Sequence, residues 1–242
     1  MKKASRAQVK KTETNREDTR IRIIKAAIKL LKERGRDALT TRGVAEAAKV
    51  QAPTIYRLFG DKRGLLDAVA DYGYVTAFNK KKGLKSGPDP IDDLRCIWDL
   101  KISFGLENPE LYSLMFGDPG AGFVSPAVEK SLRQPNELMH RIAVTGRLKV
   151  SEKRAAELLH SVNLGVILAL LAMPEDKRDL SLSNDAYEAV IAAITTDSQT
   201  MYKPGAENAA ITLHAMLPNI KSLTDGERHL LTELLERISI HG

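Results

Sequence analysis

The stretch that most constrains the fold of this chain is residues 39–59, which read LTTRGVAEAAKVQAPTIYRLF. The pattern predicts two short amphipathic helices joined by a tight turn at residues 49–51. Thr40 or Thr41 can begin the first helix, because a threonine hydroxyl accepts a hydrogen bond from a free backbone N–H group. This helix is expected to end near Ala48. Its predicted inward positions are Val44, Ala47 and Ala48.

Pro53 lies in the first turn of the second helix, where the missing N–H group has no intrahelical partner to lose. Ile55 and Phe59 are four residues apart and are expected to point to the core. Hydroxyl groups donate to phosphates and a guanidinium can bind a guanine edge, so the opposite face suits DNA. The same pattern also fits an ordinary solvated helix face. The residues on that face are Thr54, Tyr56 and Arg57.

Charge is unevenly distributed along the 242 residues, although the net charge is only +6. Residues 1–65 hold 18 Lys and Arg against 7 Asp and Glu, whereas residues 66–242 hold 19 against 24. This split predicts a basic module that meets a polyanion and a mildly acidic body. Residues 1–15 are predicted to form a basic flexible arm, which either lies along DNA or only keeps the chain soluble.

Cysteine usage and hydropathy bear on the compartment. A single cysteine, Cys96, cannot form an internal disulfide, which favours a reducing environment. The N-terminus lacks the apolar segment of a signal peptide, and the apolar run at residues 162–173 is too short to span a bilayer. We therefore expect a cytoplasmic protein with no membrane partner.

The segments on either side of residues 39–59 complete a three-helix pattern. A first helix is predicted over residues 20–35, ended by Gly35. Asp61 can cap a helix that follows residues 39–59, and Lys62 in its first turn suits a phosphate oxygen. The apolar stripe of the first helix is Ile23, Ala27, Leu30 and Leu31. That of the following helix is Leu65, Leu66, Val69 and Ala70.

The order of these segments resembles the DNA-binding domain of the tetracycline-repressor (TetR) family of bacterial regulators. The matching segments are a helix ending in ERG, then LTTRGVAEAAKV, APTIYRLF and DKRGLLDAVA, over about residues 20–70. The resemblance implies that Thr41 and Arg42 approach DNA, Arg42 reaching a base, and that Lys62 contacts the backbone. It also implies a phosphate contact by Tyr56. The residues implied in or beside the major groove are Ala52, Pro53, Thr54, Tyr56 and Arg57.

Two positions depart from the family pattern. Lys49 stands in a turn where the family usually has glycine, and a non-glycine residue held left-handed costs roughly 1 kcal/mol. Gln51 stands where a serine cap is common, which predicts a less firmly capped second helix.

The rest of the chain predicts further helices and no alternating strand pattern, so the expected fold class is all-α. An N-terminal helix-turn-helix domain at residues 16–78 is followed by a linker at 79–90. A larger helical bundle, expected to bind ligand and to dimerise, occupies residues 91–242. Helices are predicted to begin at Asp89-Pro90, over residues 151–173 and 184–202, and at the capping box of residues 224–227.

Aromatic residues crowd into residues 98–123 and either wall a ligand cavity or form plain bundle core. The resemblance implies an inducer-binding C-terminal domain, without a portable ligand motif. His160 and Asn163 lie on a very apolar helix and need partners, which are a ligand or a neighbouring helix. The candidate aromatic and sulfur-containing ligand residues are Trp98, Phe104, Tyr112, Met115, Phe116 and Phe123.

The expected function is a homodimeric repressor released from a palindromic operator by a small-molecule effector. In the family two long helices pair with their symmetry mates, and here residues 151–173 and 184–202 are the candidates. Recognition helices about 34–36 Å apart can then read successive major grooves. A dimeric DNA-binding protein without an effector is the alternative. An enzyme is disfavoured, because the five histidines are scattered and neither zinc spacing nor a phosphate loop is present, so no metal or cofactor is expected.

Overall fold

The computed structural model describes residues 2–80, 87–116, 125–196 and 206–241. Within these ranges the secondary structure is helical apart from one isolated antiparallel bridge between Leu148 and Thr195. The predicted all-α class is confirmed. The helices are α1 Lys2–Arg34, α2 Thr41–Ala47, α3 Ala52–Phe59, α4 Lys62–Lys80, α5 Pro90–Glu107, α6 Pro109–Phe116, α7 Pro126–Val144, α8 Glu152–Leu171, α9 Ser181–Ile194, α10 Ala206–Met216 and α11 Asp225–His241.

The chain divides into two compact units. Unit 1 comprises Met1–Lys82 and Asn108–Glu129, and unit 2 comprises Gly83–Glu107 and Lys130–Gly242. Helix α6 therefore packs with the N-terminal helices, against α4, although it follows α5 in the chain. The sequence assigns this helix to the body, because chain order carries no information about a helix that packs back on an earlier one. Residues 81–86 of the expected linker lie outside the described residues.

Helix α1 begins at Lys2, not near residue 20 as the sequence predicts, so residues 2–15 are helical instead of a flexible arm. Residues 2–19 contain neither glycine nor proline and are rich in Lys, Arg, Gln and Glu, which favour helix even where nothing is buried. The predicted apolar stripe of α1 is confirmed as buried, and Gly35 ends the helix with a positive φ of 74°.

Helix α2 turns a slightly different face inward from the one predicted. Val44 and Ala48 are buried as expected, but Ala45 is buried and Ala47 is exposed. In this seven-residue helix the stripe of positions i, i+1 and i+4 faces α1, which leaves position i+3 on the rim. Ile55 of α3 is fully buried, as are Leu65 and Val69 of α4.

Unit 2 is centred on α5, α8 and α9. Trp98 of α5 is buried and donates its indole N–H to Ser183 Oγ at 2.9 Å, and its ring meets Tyr187 edge-on at 5.4 Å. The predicted start of α5 is confirmed, because Asp89 Oδ1 accepts from the Ile91 N–H at 2.8 Å. Arg147 Nη1 also donates to both Asp89 oxygens, at 2.9 and 2.8 Å.

Helix α9 ends at Ile194, so the expected helix over residues 184–202 is too long at its C-terminal end. Thr195 is extended (φ −125°, ψ 162°) and pairs with Leu148. The flanking hydrogen bonds run from Lys149 N to the Ile194 carbonyl and from Thr196 N to the Arg147 carbonyl, both at 2.9 Å. Two β-branched threonines in succession favour this extended exit over continued helix.

Helices α10 and α11 pack on each other. The predicted capping box is confirmed, because Glu227 Oε2 accepts from the Thr224 N–H at 2.9 Å and Thr224 Oγ1 accepts from the Glu227 N–H at 3.3 Å. Leu235 is buried, whereas Leu230, Leu234 and Ile238 are exposed. A helix that packs on one main neighbour has only one face to bury.

Helix α8 is the one helix in the described ranges that is long and apolar enough to cross a membrane by length and composition. Core helices of water-soluble proteins pass the same test, and 33% of its apolar window is buried.

Candidate DNA-binding site

The first helix of the helix-turn-helix begins as the sequence predicts. Thr40 is extended, and its Oγ1 accepts a hydrogen bond from the Gly43 N–H at 3.0 Å. The Thr40 carbonyl accepts the first intrahelical bond, from the Val44 N–H at 2.9 Å. This cap fixes the direction in which α2 leaves the loop, and with it the exposed side chain of Arg42.

The turn between α2 and α3 has both features that the sequence departures predict. Lys49 adopts a positive φ of 52°, a conformation that favours glycine. Gln51 is the cap residue of α3, and its side chain makes no capping hydrogen bond. The turn is closed by backbone bonds alone, from Val50 N to the Ala45 carbonyl and from Thr54 N to the Gln51 carbonyl, both at 2.9 Å.

Helix α3 has one buried side and one solvent side. Ile55 has no exposed surface, whereas the next residue, Tyr56, is 51% exposed and Arg57 is also exposed. The hydroxyl groups of Thr41 and Tyr56 lie 3.4 Å apart, within hydrogen-bond distance. The phenol of α3 is therefore held beside the first turn of α2. Of the other predicted residues Pro53 is exposed, and Ala52 and Thr54 are half-buried.

Lys62 is exposed in the first turn of α4, and the junction before it is tightly specified. The predicted cap is confirmed, because Asp61 Oδ1 accepts from the Gly64 N–H at 2.7 Å. A Cβ at position 64 would lie 2.1 Å from the Phe59 carbonyl oxygen, so only glycine fits there. We name the exposed surface formed by the eight predicted residues the reading face: Thr41, Arg42, Ala52, Pro53, Thr54, Tyr56, Arg57 and Lys62.

One residue that supports α3 is missing from the sequence analysis. The Arg20 guanidinium of α1 lies over the Phe59 ring, 5.3 Å from its centroid, and both side chains are half-buried. A cation over an aromatic face is attractive, so this contact helps to hold the end of α3 against α1. No periodicity links residues so far apart in the chain, and only the folded structure brings them together.

The predicted ligand residues fall into both units. Trp98 and Phe104 are buried in unit 2, whereas Tyr112, Met115 and Phe116 belong to α6 in unit 1. The Tyr112 and Phe116 rings contact each other on that helix, tilted by 42° with centroids 4.6 Å apart. Phe123 lies outside the described residues. The remaining two predicted residues, His160 and Asn163, are on α8 in unit 2.

A cavity of about 720 Å³ lies within unit 2, between α7, the start of α8, α10 and α11. His160 lines it and is the predicted ligand residue found on this wall. Burial, and secondarily the nearby Lys101 ammonium, lower the pKa of the His160 imidazole. No sequence pattern predicts this cavity, because its walls come from four helices. They include Leu132, Glu152, Ala156, His160, Ile211 and Glu236.

Within the described part of the chain, no three or more His, Cys, Asp or Glu side chains are grouped so that they could hold a metal ion.

Comparison with known proteins points to one family. The model of the bacterial regulatory proteins of the tetR family matches residues 23–69. The class G tetracycline repressor of Vibrio anguillarum is 41% identical over 73 residues, which are 30% of this chain and 32% of that protein. The class A repressor from transposon 1721 of Escherichia coli is 53% identical over 49 residues, 20% of this chain and 23% of that protein.

These curated relatives match over about a third of their length or less, and the matches are confined to short segments. The similarity in fold covers more of the chain than the similarity in sequence. A TetR family transcription regulator of Marinobacter aquaeolei VT8 has a crystal structure that superposes with a TM-score of 0.56, covering 75% of this chain and 98% of that one at 20% identity. Residues 23–69 are therefore similar in sequence to the bacterial regulatory proteins of the tetR family, and the helical fold is similar to that of the solved Marinobacter regulator.

Proposed function

We propose that this protein is a sequence-specific DNA-binding transcription regulator, a repressor that leaves a palindromic operator when a small-molecule effector binds. The reading face carries the proposal. Its exposed groups are two hydroxyls held 3.4 Å apart, two guanidinium groups and an ammonium, within one compact helical unit. Such groups bind phosphates and guanine edges, and buried Ile55 fixes which side of α3 presents them.

The chemistry divides the reading face into two classes of contact. Tyr56 and Lys62 offer a phenol and an ammonium, which bind phosphates and contribute to affinity for any DNA sequence. Arg42 and Arg57 can each bind the two acceptors of a guanine edge and so contribute to base preference. Each good base contact contributes about 1–3 kcal/mol of discrimination.

The operator-binding form is a homodimer in this proposal. Helix α8 exposes Leu168, which is 46% accessible, with Gly165 one turn earlier, and α9 exposes Leu182. Apolar groups on two neighbouring helices that pack together in unit 2 suit a four-helix bundle with a second copy. The dimer would set two copies of α3 about 34–36 Å apart, one turn of DNA.

Helix α6 offers a route from effector to DNA. It follows α5 after one residue, Asn108, yet packs on α4, whose first turn carries Lys62. The contact is close, because a Cβ on Gly73 of α4 would lie 2.6 Å from Leu111 Cδ2 of α6. A shift at the end of α5 would therefore move α4. The effector must bind the DNA-incompetent arrangement more tightly, since equal affinity for both would shift nothing.

The effector is proposed to bind among the ligand residues that the sequence singles out in unit 2, Trp98, Phe104, His160 and Asn163. A cytoplasmic location, where the operator would be found, follows as part of the same proposal.

Operator selection from random DNA, followed by footprinting, tests the DNA-binding function. Tyr56→Phe and Lys62→Ala should weaken binding to all sequences alike. Arg42→Ala and Arg57→Ala should in addition relax base preference by about 1–3 kcal/mol at single positions. Arg133→Ala, which changes an exposed arginine of α7, is the matched control and should leave binding unchanged. Selection that yields no palindromic site would contradict the proposal.

Sedimentation equilibrium tests the dimer. Leu168→Glu places a charge on the proposed bundle face and should give a folded monomer that no longer protects the operator. Leu213→Glu, at a comparably exposed leucine of α10, should remain dimeric. A Leu168→Glu protein that stays dimeric would show that the bundle uses another surface.

A further inference from the structure

Helix α1 is longer than the helical core of unit 1 requires. Its buried side chains begin at Ile23, whereas the helix itself begins at Lys2. Residues 15–18 are exposed one after another, and four residues make more than a full helical turn, so no side of α1 is covered there. At this point α1 has left the core, and it continues back to Lys2 without the burial of apolar surface that usually stabilises a helix.

The charge of this extension is concentrated at its end. Residues 2–11 hold five Lys and Arg and no Asp or Glu, and we name them the basic tip. Residues 12–19, between the basic tip and the core, hold three acidic residues against one basic residue. Positions 3, 6 and 10 of the basic tip recur at steps of three and four, so they fall along one side of the helix.

The charges within the basic tip oppose its helical form. Lys2, Arg6 and Lys10 are successively four residues apart, a spacing at which like charges destabilise a helix. The first turn of α1 contains no acidic residue, and this turn also carries the positive end of the helix dipole, which repels cations. A helical basic tip therefore gains stability from a partner that carries several negative charges.

The contact between α1 and α3 shows where the extension leaves the core. The Arg20 guanidinium lies 5.3 Å from the ring centroid of Phe59, the last residue of α3. Lys62, three residues after Phe59, is exposed in the first turn of α4. The extension therefore starts near the part of the reading face that contains Lys62. At 1.5 Å per residue, α1 spans about 27 Å from Arg20 to Lys2, the length of about eight base pairs of DNA.

We propose that the basic tip, as a helical continuation of α1, binds phosphates of double-stranded DNA next to the base pairs that the reading face contacts. Each Lys or Arg that neutralises a phosphate releases condensed counterions and adds affinity that does not depend on base sequence. The basic tip thereby lengthens the bound segment of DNA. The inference rests on the proposed DNA binding by the reading face and adds a second, sequence-independent contact to it.

The salt dependence of DNA binding by the full-length protein tests this inference. Fluorescence anisotropy measures the affinity for a labelled random duplex of about 40 base pairs between about 50 and 300 mM KCl. The triple variant Lys3→Gln, Arg6→Gln and Lys10→Gln should reduce the slope of log K against log salt concentration by about 2–3, since each phosphate contact contributes about 0.9. At about 0.1 M salt it should bind about tenfold more weakly or worse. Glutamine favours helix, so the substitutions preserve α1.

The matched control removes the same charge from the part of α1 that packs in unit 1. Lys25→Gln, Lys29→Gln and Lys32→Gln together change three exposed lysines and should keep the slope of the wild type. Equal slopes in the wild type and the triple variant of the basic tip would overturn the inference, whether the tip only aids solubility or binds another polyanion. An equal loss of slope in the control would show that net charge alone matters and would also overturn it.

A proline distinguishes a helical tip from a flexible arm of the same charge. Thr14→Pro keeps every basic residue of the tip but breaks α1 between the tip and the core, and Thr14→Ala is its control. Thr14→Pro should bind the duplex several-fold more weakly than Thr14→Ala, because a free arm loses more conformational entropy when it binds. Equal affinities of the two variants would overturn the assignment of the contact to a helix that continues α1.

Operator selection separates this inference from the proposed function. The loss of slope is expected on a random duplex, because phosphate contacts carry no sequence information. A protein that loses slope with the triple variant of the basic tip but selects no palindromic site would refute the proposed function alone. A protein that binds a palindromic operator with the same slope and the same footprint length in both forms would refute this inference alone.

Discussion

The reading face in unit 1 and the interior of unit 2 differ in how their polar groups are solvated. The reading face takes its residues from one short run, 41–62, and leaves most of them exposed. The interior of unit 2 brings together residues of different helices, such as Trp98 of α5 and Asn163 of α8, and keeps both buried. Exposed groups are solvated by water, so they cost little in the free protein. Buried polar groups lower the stability of the protein unless another group hydrogen-bonds to them.

This difference indicates which substitutions should change function without changing the stability of the fold. On the reading face, truncation of a side chain is expected to reduce the proposed DNA binding with little change in stability. In the interior of unit 2, truncation is expected to affect packing and hydrogen bonds as well. Stability is best followed by more than one probe, because a chain with two compact units need not unfold in a single step.

The largest effect is expected where this contrast is sharpest, at two aromatic residues. Trp98→Ala should lower the free energy of unfolding of unit 2 by about 3–5 kcal/mol, since it removes a buried indole and its bond to Ser183. Tyr56→Ala should change stability by no more than about 0.5 kcal/mol, because the phenol is half in solvent. Urea unfolding followed by circular dichroism measures both. Similar losses in the two variants would break the comparison.

A smaller effect is expected at the start of α5, where Asp89 accepts from Arg147 and from the Ile91 N–H. Those bonds lower the pKa of the Asp89 carboxyl below its ordinary value of 3.8. A lowered pKa means that the charged form favours the folded state above pH 3.8 and that this stabilisation is lost as pH falls below it. Asp89→Asn should cost about 2 kcal/mol at pH 7 and progressively less below pH 3.8.

Urea midpoints of the wild type and Asp89→Asn between pH 7 and pH 3 check this dependence. Asp185→Asn, at an exposed position of α9, is the control and should follow the wild type. A cost that stays constant down to pH 3 would show that the carboxylate charge is not responsible.

Gly73 tests the contact that joins α4 to α6 within unit 1. An added Cβ would lie 2.6 and 2.9 Å from the two methyl carbons of buried Leu111, so either the leucine side chain or one of the helices must shift. Gly73→Ala should destabilise unit 1 by about 1–3 kcal/mol through overpacking, despite the better helix propensity of alanine. The double variant with Leu111→Val should recover part of that loss. A more stable single variant would show that the leucine moves aside freely.

Local structure could be predicted wherever the signals lie within a few residues. The caps at Thr40, Asp61 and Asp89 follow from side chains that bond their own helix start, and the all-α class follows from the absence of strand alternation. The end of α9 at Ile194 was missed, because the local preference of Thr195 and Thr196 for extended backbone is weak and the pairing of Thr195 with Leu148 joins residues far apart in the chain. The packing of α6 on α4 could not be predicted either, because it joins helices that are not consecutive in the chain.

The candidate sites follow the same division. The residues of the reading face could be named from the sequence because one short motif carries them, and their contacts with DNA stay a prediction. The bond between Trp98 and Ser183 gives no signal in the sequence, because the two residues lie on different helices. Arg147 likewise gives no signal of its bond to Asp89. Groups that meet across helices have no fixed spacing, so their chemistry appears only in the folded chain.

The smallest effect is expected at the turn between α2 and α3, where the sequence departs from the family pattern. It tests how much stability the protein loses or gains when a residue beside the reading face is changed. Lys49 is exposed and holds φ at 52°, where a side chain is strained by about 1 kcal/mol. Lys49→Gly should relieve this strain and, after the greater entropy loss of glycine, raise the stability of unit 1 by no more than about 0.5 kcal/mol. Lys32→Gly, in the last turn of α1, is the control and should lose stability instead. Urea unfolding midpoints of both variants measure the changes in stability. Footprinting at low salt measures whether the variants keep DNA binding. A less stable Lys49→Gly would mean that the lysine makes contacts that outweigh its strain, and the turn would then be as tightly specified as the interior of unit 2.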